Sequence, residues 1–266
     1  MSAGVRVASF GALLVAIFAL AVLGGRALDP ATEAAGNADG AMPDGGGDAD
    51  GELRLVAQSP TSFTPARRGR LTFRVVDARG ETLRDFEIAQ ARRMHVIVVR
   101  RDLRRFQHLH PREVAPGAWT TTLTLPDAGV YHAFADFQTG GERRALGVDL
   151  FAGGAFTPLA LPAPSTVATV DGYDVSLRDD GSRLRFTVGR GGRLVSDLQP
   201  YLGARGHLVA LREGDLAYLH VHPTDGDGPG VEFVAEVPSA GTYRLFLDFR
   251  HGDVVRTAEF TVAVSP

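Results

Sequence analysis

The sequence predicts an all-β protein with two tandem antiparallel β-sandwich domains, of the immunoglobulin-like or cupredoxin-like kind, after an N-terminal transmembrane or signal helix. Three features carry this prediction: an apolar run near the N-terminus, an internal repeat, and apolar residues that alternate with polar ones inside each copy of the repeat. Such alternation is typical of strands that bury one face.

The N-terminal segment contains the apolar run VASFGALLVAIFALAVLGG at residues 7–25, directly after Arg6. The run has the length of a membrane-spanning helix, about 20 residues, and small residues around Ala21 and Ala27 also allow signal-peptide cleavage. We therefore expect residues 1–28 to be a membrane anchor or a signal peptide. The repeats are then extracytoplasmic on a single-pass membrane protein, or secreted if the segment is cleaved.

Two segments rich in turn-forming residues divide the remaining chain. Residues 29–51 contain mostly Gly, Ala, Asp and Pro without periodicity, which predicts a flexible acidic linker. The Pro-rich stretch GGAFTPLALPAPST, residues 153–166, separates two segments of ordinary domain size. The predicted domains are residues 52–152 and residues 167–266.

These two domains are copies of one repeat. From Gly80 and Gly192 onward they align without a gap at a constant offset, 192 − 80 = 112 residues. The identical positions include His95 and His207, His108 and His220, His110 and His222, Pro111 and Pro223, Gly129 and Gly241, Tyr131 and Tyr243, and Asp136 and Asp248.

The repeats also share strand and corner patterns. RLTFRVV at 70–76 and RLRFTVG at 183–189 alternate as half-buried strands do. In DAGVYHAFADF and SAGTYRLFLDF, a glycine stands two residues before a tyrosine that opens a strand, the pattern of the tyrosine corner of immunoglobulin-like sandwiches. In the first of these strands, Asp136 is expected on the face opposite Tyr131.

The motif His-x-His-Pro occurs once in each repeat, as HLHP at 108–111 and HVHP at 220–223. Two such histidines on a strand point to the same face, roughly 6–7 Å apart, so both rings can reach one ion. The proline removes a backbone donor and is expected to end the strand near an edge. His95 and His207 lie on separate strands and offer a third imidazole, so we expect two metal sites, one in each repeat.

The candidate metal ligands are histidines and aspartates that the two copies share. Asp136 and Asp248 are candidates for a fourth ligand, for a hydrogen-bond acceptor that orients a histidine, or for a turn cap. His132 and His251 have no histidine counterpart, which favours a surface or accessory role. The complete candidate set is His95, His108, His110, Asp136, His207, His220, His222 and Asp248.

Composition narrows the chemistry of these sites. The chain has no cysteine, which excludes disulfides, thiolate sites and blue-copper centres. Imidazole nitrogen donors suit divalent copper, zinc and nickel ions. Copper is our first choice for the bound metal because it binds imidazole sites most tightly of these ions, and zinc is our second choice. The net charge of −3 gives no reason to expect nucleic acid binding. The absence of HExxH and GxSxG motifs favours a protein that is not an enzyme.

The export segment, the repeats, the HLHP and HVHP motifs and the strands YHAFADF and YRLFLDF together resemble bacterial extracytoplasmic copper-handling β-sandwich proteins of the YtkA-like and CopC-like kind. The resemblance implies metal storage, delivery or resistance in the cell envelope. Expected partners are a metal ion, the membrane through the N-terminal helix, and a further cell-envelope protein. The alternative function is a surface-displayed immunoglobulin-like module that is structural or partner-binding and holds no metal.

Overall fold

The computed structural model describes residues 53–181, 183–219, 221–224, 228–235, 237 and 239–265. These residues form nineteen strands and no helix. Among them there is accordingly no helix that could span a membrane. The predicted anchor at 1–28 and the predicted acidic linker at 29–51 lie outside the described residues.

The first repeat is a sandwich of two sheets, of which the inner sheet faces the second repeat. The outer sheet contains, in spatial order, β1 (Leu53–Ala57), β3 (Arg68–Asp77), β7 (Ala118–Thr124) and β6 (Arg112–Ala115). The inner sheet contains, in spatial order, β2 (Ser62–Phe63), β9 (Glu142–Ala152), β8 (Gly129–Thr139), β4 (His95–Arg100) and β5 (Gln107–Leu109). Neighbouring strands are antiparallel except for the parallel pair β2 and β9.

The second repeat has the same two-sheet arrangement with antiparallel pairing. Its outer sheet contains β10 (Val167–Val170), β11 (Tyr173–Asp179), β12 (Arg183–Arg190), β17 (Val231–Ala235) and β16 (Val221–Thr224), with β13 (Arg193–Leu194) paired to β12. Its inner sheet contains β15 (Tyr218–Leu219), β14 (Gly206–Arg212), β18 (Gly241–His251) and β19 (Val254–Val264). The predicted all-β fold of two immunoglobulin-like sandwiches is confirmed.

Each sandwich encloses its own apolar core. In β3 the alternating residues Leu71, Phe73 and Val75 point into the core of the first repeat, as the sequence pattern predicts. Leu184 and Phe186 of β12 take the same place in the second repeat. Burying side chains of this size contributes roughly 1.5–3 kcal/mol each, so these alternating residues fix which face of each strand points inward.

Both repeats contain the predicted tyrosine corner. The hydroxyl of Tyr131 donates to the carbonyl of Asp127 at 3.0 Å, and the hydroxyl of Tyr243 donates to the carbonyl of Ser239 at 2.8 Å. Both tyrosine rings are almost fully buried. The corner therefore anchors the start of β8 and of β18 to the preceding turn.

A third apolar cluster lies between the two inner sheets and joins the repeats. Phe106 stacks on Phe246 with ring centroids 4.0 Å apart, and the equivalent pair, Tyr218 and Phe134, is separated by 5.2 Å. The buried members of the cluster are Ile97, Val99, Leu103, Phe134, Val209, Leu211, Leu216 and Phe246. Because equivalent residues of the two repeats meet in this way, the interface resembles that of a two-fold symmetric dimer.

Candidate metal site between the repeats

The HLHP motif of the first repeat lies where the chain changes sheet. His108 is in β5, the edge strand of the inner sheet, and this strand ends at Leu109. His110 and Pro111 follow, and the next strand, β6, belongs to the outer sheet. Proline cannot donate to a sheet, so it suits this crossing point, and the strand ends at an edge as the sequence predicts. In the second repeat the predicted strand end is wrong: Pro223 lies within the edge strand β16 (Val221–Thr224), where it pairs with Phe233. His95 begins the neighbouring strand β4.

Three histidines of the first repeat converge at this crossing. Nδ1 of His95 lies 3.0 Å from Nε2 of His108. The ring of His110 is 4.8 Å from the ring of His108 and 5.3 Å from that of His95, measured between centroids. Each ring offers one nitrogen, and the three nitrogens lie within 4.8 Å of one another. Sequence reasoning thus identified a trio that the fold brings together.

In His95 and His108 we call the two nitrogens that face each other inner and the remaining nitrogen of each ring outer. Both outer nitrogens bond to groups that can only accept hydrogen bonds. Nε2 of His95 is 3.3 Å from the carbonyl oxygen of Ala89, and Nδ1 of His108 is 2.7 Å from a carboxylate oxygen of Asp248. Both outer nitrogens therefore carry the hydrogen. In neutral rings the lone pairs of the two inner nitrogens then face each other at 3.0 Å, an arrangement that a shared proton or a bound cation satisfies.

Asp248 comes from the second repeat, and its carboxylate is almost fully buried. One oxygen accepts from His108, and the other accepts from the hydroxyl of Thr257 at 2.6 Å. Of the roles expected for this aspartate, the structure places it in that of the acceptor that orients a histidine. A carboxylate in this position fixes the ring orientation of a metal-binding histidine and increases its basicity.

His207 extends the cluster from the second repeat. Its ring stacks on His95 with centroids 5.4 Å apart and an interplanar angle of 18°, and its centroid is 4.3 Å from that of His108. Only 2% of His207 is exposed. Nδ1 of His207 and Nε2 of His110 are buried and have no hydrogen-bond partner among the described residues. Buried nitrogens are usually paired with a protein group, an ordered water or an ion.

Burial keeps most of these rings neutral. It lowers the pKa of His95 to about 4 and that of His110 to about 3, with the nearby His108 as the second cause in both cases. Burial, followed by the proximity of His108 and His95, holds the pKa of His207 well below its usual value. Neutral imidazole is the form that binds metals, so the three rings are ready to coordinate at neutral pH.

Asp136, the equivalent of Asp248, has a different role from the one expected of a metal ligand. Its carboxylate receives two hydrogen bonds from the guanidinium of Arg143, at 3.0 and 3.1 Å, and one from the hydroxyl of Tyr218 at 2.9 Å. The second repeat has Val255 at the position of Arg143, which explains why the two aspartates differ. The guanidinium of Arg143 already supplies a positive charge beside Asp136.

The sequence analysis expected two separate sites, one in each repeat, whereas the described residues bring His207 and Asp248 of the second repeat against the histidines of the first. His108 of the first repeat is bonded to Asp248 of the second, and His95 stacks on His207. The reason is that the inner sheets pack face to face and carry His207 of the second repeat to the histidine trio of the first. His222, in β16 of the outer sheet, is exposed and belongs to neither candidate group, and His220 lies outside the described residues.

Tyr201 is a neighbour of the cluster that the sequence analysis missed. Its ring centroid is 6.4 Å from that of His108 and 6.3 Å from that of His110. Burial, together with the negative charge of Asp248, raises the pKa of Tyr201 to about 12, so the phenol stays protonated. Tyr201 occupies the position of Ala89 in the other repeat, and the repeat alignment offered that contrast as a signal.

The two histidines without a counterpart serve local contacts. Nδ1 of His132 bonds to Asp149 at 2.7 Å. His251 lies 2.8 Å from the hydroxyl of Tyr173 on one side and 3.2 Å from Asp197 on the other. Neither belongs to a candidate metal group among the described residues.

Fold and site together define a tandem immunoglobulin-like β-sandwich protein with a histidine cluster between its repeats. The chain belongs to the family described as "Domain of unknown function (DUF8832)", whose two matches cover residues 49–152 and 168–266. A search of curated proteins gives no match.

Solved structures with a similar arrangement include several bacterial proteins, all at low similarity. InvD of Yersinia pseudotuberculosis has a TM-score of 0.26 at 14% identity, over 80% of this chain and 57% of that one. Domains 5–6 of the S-layer protein SbsC give a TM-score of 0.23 at 13% identity, over 80% and 97%. Invasin, a bacterial integrin-binding protein, gives a TM-score of 0.27 at 15% identity, over 83% of this chain and 41% of that one. Scores this low carry no argument about function.

Proposed function

We propose that the protein binds one transition-metal ion, with copper as the first choice and zinc as the second, through His95, His108 and His110. The observation that carries this proposal is the pair of facing nitrogens 3.0 Å apart, whose rings are oriented from behind by Ala89 and Asp248. Metal-binding histidines are characteristically held in this way, with the other ring nitrogen donating to a carbonyl or a carboxylate.

The spacing of the two nitrogens fits coordination. If both bound one ion at about 2.0 Å, a separation of 3.0 Å gives an angle at the metal of about 97°. This value lies between the roughly 90° of square-planar copper(II) and the roughly 109° of tetrahedral zinc. The ligand chemistry and the resemblance to copper-handling β-sandwiches both favour copper.

The described residues support one ion rather than two. Asp136 already neutralises the guanidinium of Arg143, and His222 is exposed in the outer sheet. A second cation beside Asp136 would meet the positive charge of Arg143. We therefore infer a stoichiometry of one ion per chain.

The biological role that we propose is metal storage, delivery or resistance in the cell envelope. The apolar run at 7–25 supports a membrane anchor or an export signal, and we propose that the repeats lie outside the cytoplasm. We propose binding without catalysis, which is supported by the absence of HExxH and GxSxG motifs from the sequence. A receiving partner in the cell envelope follows from a delivery role.

A second candidate function is a structural or partner-binding immunoglobulin-like module without metal. It is favoured by the apolar interface between the repeats. It is also favoured by the contacts of His108, because both of its nitrogens have hydrogen-bond partners if a proton is shared between His108 and His95. In that case the histidine cluster only ties the repeats together.

Metal titration of the full-length protein in detergent separates the two functions. Copper(II) or zinc, added to metal-free protein at neutral pH and followed by calorimetry and elemental analysis, should give one ion per chain. The variant with both His108→Gln and His110→Gln should lose that binding. Absence of binding by the unmodified protein at micromolar metal would leave the second candidate.

A further inference from the structure

We propose that the ion is held between the two repeats, with His207 of the second repeat as its fourth nitrogen ligand, so that metal binding and packing of the repeats reinforce each other. This inference rests on the proposed function and specifies which ligand completes the site. It also predicts that the bound metal stabilises the packing of the two repeats against each other, an effect that we call the lock.

The position of His207 is the first argument. Its ring lies 4.3 Å from His108 and 5.4 Å from His95, centroid to centroid, so the second repeat places an imidazole directly against the trio. Its Nδ1 is buried without a hydrogen-bond partner among the described residues. Burying a polar atom unpaired costs free energy, and a bound cation removes that cost.

The grouping of donor atoms is the second argument. His108, His207 and Asp248 form a candidate group of their own, in which one donor atom from each lies within 4.8 Å of the others. His108 belongs both to this group and to the trio with His95 and His110, so His108 is the residue through which His207 adjoins the trio. Four-coordinate sites are the usual arrangement for zinc and are common for copper with imidazole ligands.

The interface itself is the third argument. The apolar contacts of Phe106 with Phe246 and of Phe134 with Tyr218 already hold the two inner sheets together. His207 therefore reaches the trio in the packed arrangement and does so only there. Any ligand that binds the packed form alone shifts the equilibrium toward that form, by an amount that grows with metal concentration.

The decisive comparison is His207→Gln against His222→Gln in the full-length protein. His222 is the matched control because it is a histidine of the same repeat, exposed and outside both candidate groups. Copper(II) affinity is measured by competition with a chelator, and the number of coordinating nitrogens by electron paramagnetic resonance. We expect His207→Gln to weaken binding about tenfold or more and to remove one nitrogen from the spectrum, with His222→Gln unchanged.

Two results keep this inference separate from the proposed function. If His207→Gln binds copper with the affinity and spectrum of the unmodified protein, the ion belongs to the first repeat alone and the inference is wrong. If the unmodified protein binds no metal, the proposed function itself fails.

A second measurement avoids the risk that His207→Gln does not fold. A protease site inserted after Gly154, in the exposed linker at 153–166, allows the chain to be cut between the repeats. Zinc should then raise the urea concentration at which the two pieces separate. Separation at the same urea concentration with and without zinc, in a cut protein that binds zinc, would overturn the lock.

Discussion

Asp248→Asn should weaken metal binding while leaving every proposed ligand in place. The carboxylate is 2% exposed, and its two oxygens accept from Nδ1 of His108 at 2.7 Å and from the hydroxyl of Thr257 at 2.6 Å. Asparagine has the same shape but offers one acceptor and one donor. If the amide nitrogen faces His108, Nδ1 must accept, the hydrogen moves to Nε2, and the lone pair that faces His95 is lost.

The size of the effect follows from which atom of the amide faces His108. With its oxygen toward His108, asparagine keeps the correct tautomer but is an uncharged and therefore weaker acceptor. Removing such an orienting group typically costs 10- to 100-fold in metal affinity, which corresponds to about 1.4–2.7 kcal/mol. We expect the lower part of this range for the oxygen-facing orientation and the upper part for the flipped one.

The matched control is Asp136→Asn, the same substitution at the equivalent position of the first repeat. Because Asp136 contacts Arg143 and Tyr218, its replacement should destabilise the fold, by about 3 kcal/mol. It should weaken metal binding less than Asp248→Asn does, and only through the charge of Arg143, because Asp136 orients none of the three proposed ligands. Copper affinity by chelator competition and urea unfolding of the metal-free proteins measure the two effects separately. Equal metal affinities for Asp248→Asn and the unmodified protein would refute the role assigned to Asp248.

Three further predictions concern stability, each measured by urea or thermal unfolding of metal-free protein. Tyr131→Phe removes the hydrogen bond to Asp127 and should cost about 0.5–1.5 kcal/mol; an unchanged midpoint would contradict the tyrosine corner. Gly147→Ala places a Cβ 2.0 Å from Nε2 of the buried His132, so the crowding should cost about 1–3 kcal/mol, and an equally stable variant would show that this ring moves freely. Acidification should also destabilise the protein, because the pKa of His95 is about 4 in the folded protein and near 6.5 in the unfolded chain. As pH falls from about 6.5 to 4, His95 therefore binds a proton in the unfolded chain before it does so in the folded protein, and the free energy of unfolding decreases. The loss from His95 alone should be on the order of 3 kcal/mol by pH 4, and stability that stays flat over this interval would argue against a buried neutral ring.

Features set by local sequence were predictable. The tyrosine corner depends on a glycine, a tyrosine and the turn before them, all within a few residues, and both corners form as predicted. The proline of the His-x-His-Pro motif was a weaker guide, since β5 ends before Pro111 but β16 continues through Pro223. Alternation in β3 correctly indicated which side chains enter the core.

The contact of His207 with the histidine trio of the first repeat was not predicted, because it depends on how one repeat packs on the other. The linker composition gives no information about that packing. A signal was nevertheless present: HVIVVR and GHLVALR are apolar at consecutive positions, and both strands are buried on both faces. A strand of a sandwich that shows an unbroken apolar run, where alternation is expected, indicates a second covered face. Ile97 and Val209 occupy that face in the structure.

The difference between Arg143 and Val255 follows from having both repeats in one polypeptide. A homodimer of a single repeat would carry the same residue at both positions, so its two buried carboxylates would have identical neighbours. Covalent duplication removes that restriction, because each copy can change alone. One half can thus keep a guanidinium against its aspartate as a fixed internal cation, while the other half leaves its aspartate to a histidine. The pseudo-dimer thereby gains an asymmetric centre that exact symmetry would forbid.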